Sequence, residues 1–183
     1  MSYVDRVYKR VCAIFGLCMC GFGGATAARG ETVDIHPNPG GTVGIKETAR
    51  YKGQKNLEVI LMPETKCVGT GAFNGWKNLL SVTCEGENGE DGVEIGAAAF
   101  KGCSNLRLVR FAKTGGIGAS AFEGCCSLAR LDVSRSKIIF QWAFRNCVSL
   151  LELRVRKDCY WVDRESALEG CRSSLRVVEQ EAN

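Results

Sequence analysis

The 183-residue sequence contains three prolines, one histidine and no dense run of lysine or arginine. Few prolines leave little room for rigid linkers. With His36 the sole imidazole, a histidine cluster for metal is excluded, and "DIHPNPGG" offers this residue no partner to orient it as a general base. Without a basic run, a nucleic-acid groove or an anionic membrane surface has no electrostatic basis. The N-terminal apolar run, "VCAIFGLCMCGF", has 12 residues, too few to span a bilayer. Phosphate loops, nucleophile elbows and metal-spaced clusters are also missing. Together these absences point away from an enzyme, a cofactor and a bound metal, and toward binding or structure.

What is present is globular in character. Hydrophobic residues make up 45% and charged residues 24%, and 22 glycines promise many tight turns. The length suits one domain. Arg6, Lys9 and Arg10 precede the apolar run, and "GGATAARG" follows with small residues at two candidate cleavage positions. This is the pattern of a signal peptide over residues 1–28, cut near Ala27 or Ala28. Lipidation at Cys18 or Cys20 is the less favoured reading, because Met19 precedes Cys20 where a small residue is wanted. Cleavage would lower the net charge from +4 to about +2 and leave eight of the eleven cysteines.

The dominant feature is an internal repeat. Ala72-Phe73, Ala99-Phe100, Ala121-Phe122 and Ala143-Phe144 align, with Tyr51 and Leu168 in the same place at the ends. From Tyr51 the intervals are 22, 27, 22, 22 and 24 residues. Three residues after the aromatic stand Gln54, Trp76, Cys103, Cys125, Cys147 and Cys171. Leu57, Leu79, Leu106, Leu128 and Leu150 come three further on, with Leu175 one place late. After another three come Ile60, Val82, Val109, Leu131, Leu153 and Val178. Val68, Ile95, Ile117 and Ile139 lie five before the aromatic.

Ala121, Cys125 and Leu128 share one face of a short helical turn, and Leu131 and Val133 alternate as in a strand. One such unit cannot bury its apolar side alone, so about six must stack. The expected architecture is a solenoid of units 22–27 residues long, with a parallel sheet on the concave face and short helical turns opposite. Residues 29–44 precede it as a linker or cap, and residues 45–183 form the repeat domain.

The segments "IGAAAFKGCSNLRLVRF" and "IGASAFEGCCSLARLDV" resemble the BspA-like, treponemal-type leucine-rich repeats of bacterial surface and exported proteins. The resemblance covers about residues 45–180. It implies a leucine-rich-repeat solenoid, export to the periplasm or cell surface, and protein binding of an adhesin-like kind toward host or extracellular-matrix proteins. Gln54 and Trp76 in place of cysteine, Leu168 in place of phenylalanine and proline after the strand only at Pro63 depart from the pattern.

The cysteines invite a zinc or disulfide reading. However, Cys103, Cys125, Cys147 and Cys171 should stack one per coil at about 4.8 Å, with parallel side chains. A disulfide needs converging vectors and zinc a tetrahedron, so these read as buried structural thiols, as does Cys84. Cys126 should point outward or sideways. A bridge among Cys67, Cys126 and Cys159 is disfavoured by the several coils between them. The acidic insertion "EGENGEDG", residues 85–92, lacks calcium-loop spacing and reads as a solvated loop.

Partner binding is expected on the concave strand face. Its outward residues read as Leu61, Thr83, Arg110, Asp132, Arg154 and Glu179, flanked by Val59, Ser81, Leu108, Arg130, Glu152 and Val177. Alternating charges would pair with one another along the row. Val59, Leu61 and Leu108 would leave an exposed apolar patch. The candidate contact residues are Val59, Leu61, Thr83, Leu108, Arg110, Arg130, Asp132 and Arg154. Two further readings are a periplasmic module holding an apolar small ligand against Val59, Leu61 and Leu108, and an envelope protein that self-assembles through its solenoid ends.

Overall fold

Equivalent side chains recur each coil, so equivalent backbone segments stack in parallel along one axis. A computed structural model describes residues 31–84 and 92–181. The signal-peptide reading and most of the acidic insertion lie outside these residues. The described chain forms strands β1 (Glu31–Ile35), β2 (Thr42–Val43), β3 (Leu57–Leu61), β4 (Cys67–Val68), β5 (Leu79–Cys84), β6 (Val93–Ile95), β7 (Leu108–Phe111), β8 (Thr114–Ile117), β9 (Arg130–Val133), β10 (Ile138–Ile139), β11 (Glu152–Arg156), β12 (Tyr160–Trp161) and β13 (Arg176–Gln180). All pairings are parallel. Odd-numbered strands build one wall, as two ladders in the orders β1-β3-β5-β7 and β13-β11-β9. Even-numbered strands build a second, six-stranded wall.

That second wall corrects the expected architecture. Helical turns were expected opposite the strand face, yet among the described residues helix is confined to α1 (Ile45–Thr48), a 3-10 turn (Ala49–Tyr51) and α2 (Arg164–Ala167). In the other coils the "AFxGC" segment is a chain of tight turns that stack directly. Phe73, Phe100 and Phe122 N–H groups donate to Ala99, Ala121 and Ala143 carbonyls of the next coil at 2.8, 2.8 and 2.7 Å. Left-handed residues, such as Ala98 (φ 53°) and Gly102 (φ 72°), rotate alternate N–H groups toward that neighbour. A true helix would spend those groups within the coil, so stacking displaces it.

The core is a set of side-chain ladders. Phe73, Phe100, Phe122 and Phe144 are fully buried and stacked, with centroids 5.2, 5.2 and 5.9 Å apart. Each buried phenylalanine contributes about 2–3 kcal/mol of apolar transfer. Val43, Val68, Ile95, Ile117 and Ile139 line the even wall, and Val59, Val82, Val109, Leu131 and Leu153 line the odd wall.

Two strands run in a different frame from the one that equal spacing suggests. In β3, Val59 pairs with Val82 and Ile60 with Thr83, after a register shift between Leu57 and Glu58. Leu57 to Val59 is two residues, whereas Leu79 to Val82 is three. A one-residue slip reverses every side chain in a strand. Val59 and Leu61 therefore point into the core, each 1% exposed, and Ile60 takes the outward place. In β13, Val177 pairs with Leu153 and Val178 with Arg154. The 24-residue offset of the last coil thus persists through the strand, so Val177 faces in and Val178 out, and Glu179 lies beside Val155.

Candidate functional site

Period-2 alternation gives the odd wall two outward rows. One contains Thr32, Glu58, Ser81 and Leu108, continuing as Arg130, Glu152 and Arg176 in the second ladder. The other contains Asp34, Ile60, Thr83 and Arg110, then Asp132, Arg154 and Val178. Of the expected contact residues, Arg110, Arg130, Asp132 and Arg154 are exposed, and Thr83 and Leu108 are half-buried on this wall. Val59 and Leu61 are excluded from it by burial. The apolar patch expected there is thereby reduced to Leu108 with Ile60.

The wall is electrically uneven. Its first half carries Asp34 and Glu58, while its second half carries four arginines against Asp132 and Glu152. The expected alternating ladder does not form, because Asp132, Glu152, Arg154 and Glu179 each find a nearer partner. Arg154 donates from Nε to Glu152 Oε1 at 2.8 Å along its own strand, and Arg176 reaches Glu152 Oε2 across the ladder. The Arg176 and Arg154 guanidiniums hold the Glu152 carboxyl below its ordinary range, and Glu152 raises Arg154 in turn. Asp132 Oδ1 accepts the Ser134 N–H at 2.9 Å. Glu179 pairs with Arg164 at 3.3 Å. Among the described residues Arg110 and Arg130 have no ion-pair partner.

The thiol ladder is structural. Cys103, Cys125, Cys147 and Cys171 Sγ donate to the Phe73, Phe100, Phe122 and Phe144 carbonyls of the preceding coil at 3.0, 3.2, 3.1 and 3.1 Å. Each of those carbonyls also accepts the N–H three residues on, at 3.1 Å. Cysteine thus fills the second lone pair of a buried carbonyl while packing as a small hydrophobe. Burial pushes the Cys103 thiol up to about 12, and Cys125 and Cys147 also rise. None of the eight described cysteines forms a disulfide, Cys67, Cys126 and Cys159 included. Cys126 is half-buried, its Sγ 3.3 Å from the Gly124 carbonyl. No group of three or more possible metal ligands occurs among the described residues. His36 is exposed, its Nδ1 3.6 Å from an equally exposed Glu64 carboxylate, which is no setting for a general base.

One group escaped the sequence reading: Phe140, Trp142, Tyr160 and Val162, all exposed on or beside the even wall. The signal was in the repeat itself. "IGAAAF" and "IGASAF" become "IFQWAF" in the fifth coil, with Phe140 in the glycine place and Trp142 in the alanine or serine place.

The family model described as the BspA type leucine rich repeat region matches residues 44–174 in six copies. Among solved structures, a leucine rich cell surface protein of Faecalibacterium prausnitzii A2-165 is similar, with a TM-score of 0.59 and 23% identity. That match covers 69% of this chain but 32% of the other, so this chain spans about a third of its length. The T. pallidum leucine rich repeat protein is similar with a TM-score of 0.54 and 23% identity, over 84% of this chain and 66% of the other. A search among curated proteins finds no match. Among the described residues no helix is long and apolar enough to cross a membrane. The repeat solenoid is a protein-interaction scaffold rather than a fold organised around catalysis. With six copies of its repeat over most of its length, the chain belongs to the BspA-type leucine-rich repeat family.

Proposed function

We propose that this chain is an exported protein-binding module that holds its partner against the odd-strand wall, the concave face of the repeat. The observation that carries this reading is the pair Arg110 and Arg130, exposed and unpaired beside half-exposed Leu108 on adjacent strands of a regular surface. Unpaired arginines next to an aliphatic contact are typical of interface centres. The partner presents carboxylates there, and an adhesin-like role toward host or matrix proteins is the family-level form of this reading. Support for a surface location comes from the likeness to a protein named as a cell surface protein.

The test is capture of proteins from extracellular-matrix and host-surface extracts by the wild-type chain and by Arg110→Glu/Arg130→Glu. The reading expects a partner whose binding falls at least tenfold in the variant and weakens with added salt. Equal capture by both proteins would remove the odd wall from consideration. Protease treatment of intact cells tests location; a protected chain would exclude direct adhesion. The apolar-ligand reading loses its footing, since two of its three residues, Val59 and Leu61, belong to the core.

A further inference from the structure

The even wall changes character along its length. In β10 and β12, Ile138 pairs with Tyr160 and Ile139 with Trp161. Ile139 is buried, so Ile138 and Tyr160 face out, as do Phe140 and Val162 two residues on. Phe140 is 38% exposed, Trp142 42%, Tyr160 64% and Val162 41%. At the same levels, β8 and the turn after it carry Gly116, Gly118 and Ser120, and β6 and its turn carry Glu94, Gly96 and Ala98. Two coils of projecting side chains therefore adjoin two coils that are recessed except at exposed Glu94.

The recess is imposed by the spacing of the coils. A Cβ at Gly96 would lie 2.7 Å from Thr70 N, and one at Gly118 2.6 Å from Ala97 N, so neither place admits a side chain unless its coil parts from the one before. Phe140 occupies this place in the fifth coil, where the phenylalanine ladder opens to 5.9 from 5.2 Å. Trp142 holds φ at 59°, a left-handed conformation that strains a bulky residue. A strained tryptophan kept partly in solvent points to a functional surface. Across the recess Glu94 folds over Gly116, its Oε2 accepting the Gly116 N–H at 2.9 Å. Among the described residues its Oε1 accepts no hydrogen bond.

We infer that a second copy of this chain docks here, even wall against even wall, about a two-fold axis parallel to the strands and between β8 and β10. Such an axis reverses the order of the coils and keeps every residue at its level along the strand. It sets β12 over β6 of the other copy, and β10 over β8. Phe140 then enters the recess at Gly118, Val162 the recess at Gly96, and Trp142 meets Ser120. Tyr160 meets Glu94, and its hydroxyl donates to the carboxylate oxygen left over. Each contact occurs twice, as an isologous interface requires. The exposed surface of the projecting side chains is on the order of 400 Å² per copy. That approaches the apolar share of the roughly 800 Å² that a stable dimer buries on each side. β12 is the last strand of this wall among the described residues, and its free edge, two residues long, is too short to hold a partner strand alone. The pairing leaves both odd walls uncovered, and the proposal is independent of the odd-wall reading.

Sedimentation velocity of the full chain over a wide concentration range should show reversible association that stops at two copies. Trp142→Ser and Phe140→Gly, which match Ser120 and Gly118, should each weaken the dimer about tenfold or more without lowering Tm. Tyr160→Glu, which would bring two carboxylates together at Glu94, should weaken it similarly. Adding Glu94→Lys to that variant should restore most of the loss, because the two changes then attract across the axis. Arg110→Glu should leave the dimer unchanged. The proposal is overturned if the chain stays monomeric throughout, if the dimer survives both Trp142→Ser and Phe140→Gly, or if Glu94→Lys fails to rescue Tyr160→Glu in a folded double variant. It is equally overturned if the chain is monomeric and Trp142→Ser instead abolishes binding to phosphatidylglycerol vesicles or to neutral hexasaccharides.

Discussion

At residue scale, a sulfhydryl such as that of Cys125 both fills core volume and closes a carbonyl of the coil before it. Serine at this place would keep the donor and lose the volume, while alanine would lose both. Cys125→Ala should therefore cost about 1–3 kcal/mol, measured by urea unfolding. The same burial makes stability depend on alkali. Cys103 holds its proton to about 12 in the folded chain, against an ordinary 9.0. Between those values the unfolded chain binds fewer protons, so the contribution is complete below pH 9 and is lost as pH rises toward 12. Each such thiol steepens the decline by about 1.4 kcal/mol per pH unit, and Cys103→Ala should flatten it by that amount. Iodoacetamide on the folded protein should modify Cys126 and spare Cys125.

At element scale, the spacing between coils decides which side chains are allowed. Gly118→Ala would put a Cβ within 2.9 Å of three backbone atoms of the preceding coil, so coils must part. The expected cost is about 1–3 kcal/mol, seen as a fall in Tm, and the same change at Gly75, where nothing lies within 4 Å, should cost mainly backbone strain. The aromatic, cysteine and leucine ladders were legible in sequence because each recurs at a constant place after the "AF" pair. The even wall was less so. Its strands are two to four residues long, too short for alternation to show, and their isoleucines read equally well as turn anchors. The frames of β3 and β13 were hidden for another reason. A bulge or an added residue leaves Val59 and Ile60 of "LEVIL", and Val177 and Val178 of "RVVEQ", equally plausible as inward, and only pairing with the neighbouring strand selects one.

At the scale of the whole molecule, each coil touches only its neighbours, and the two walls offer separate surfaces. The odd wall presents arginines whose partners are incomplete at Arg110 and Arg130. The even wall presents rings at one end. The central claim, that a protein partner lies on the odd wall, is tested most directly by hydrogen exchange on the chain alone and with the protein captured in the charge-reversal experiment. Added protection is predicted in residues 108–111, 130–133 and 152–156, with residues 138–142 and 160–162 unchanged. Protection confined to those latter residues, or to the ends of the solenoid, would contradict it.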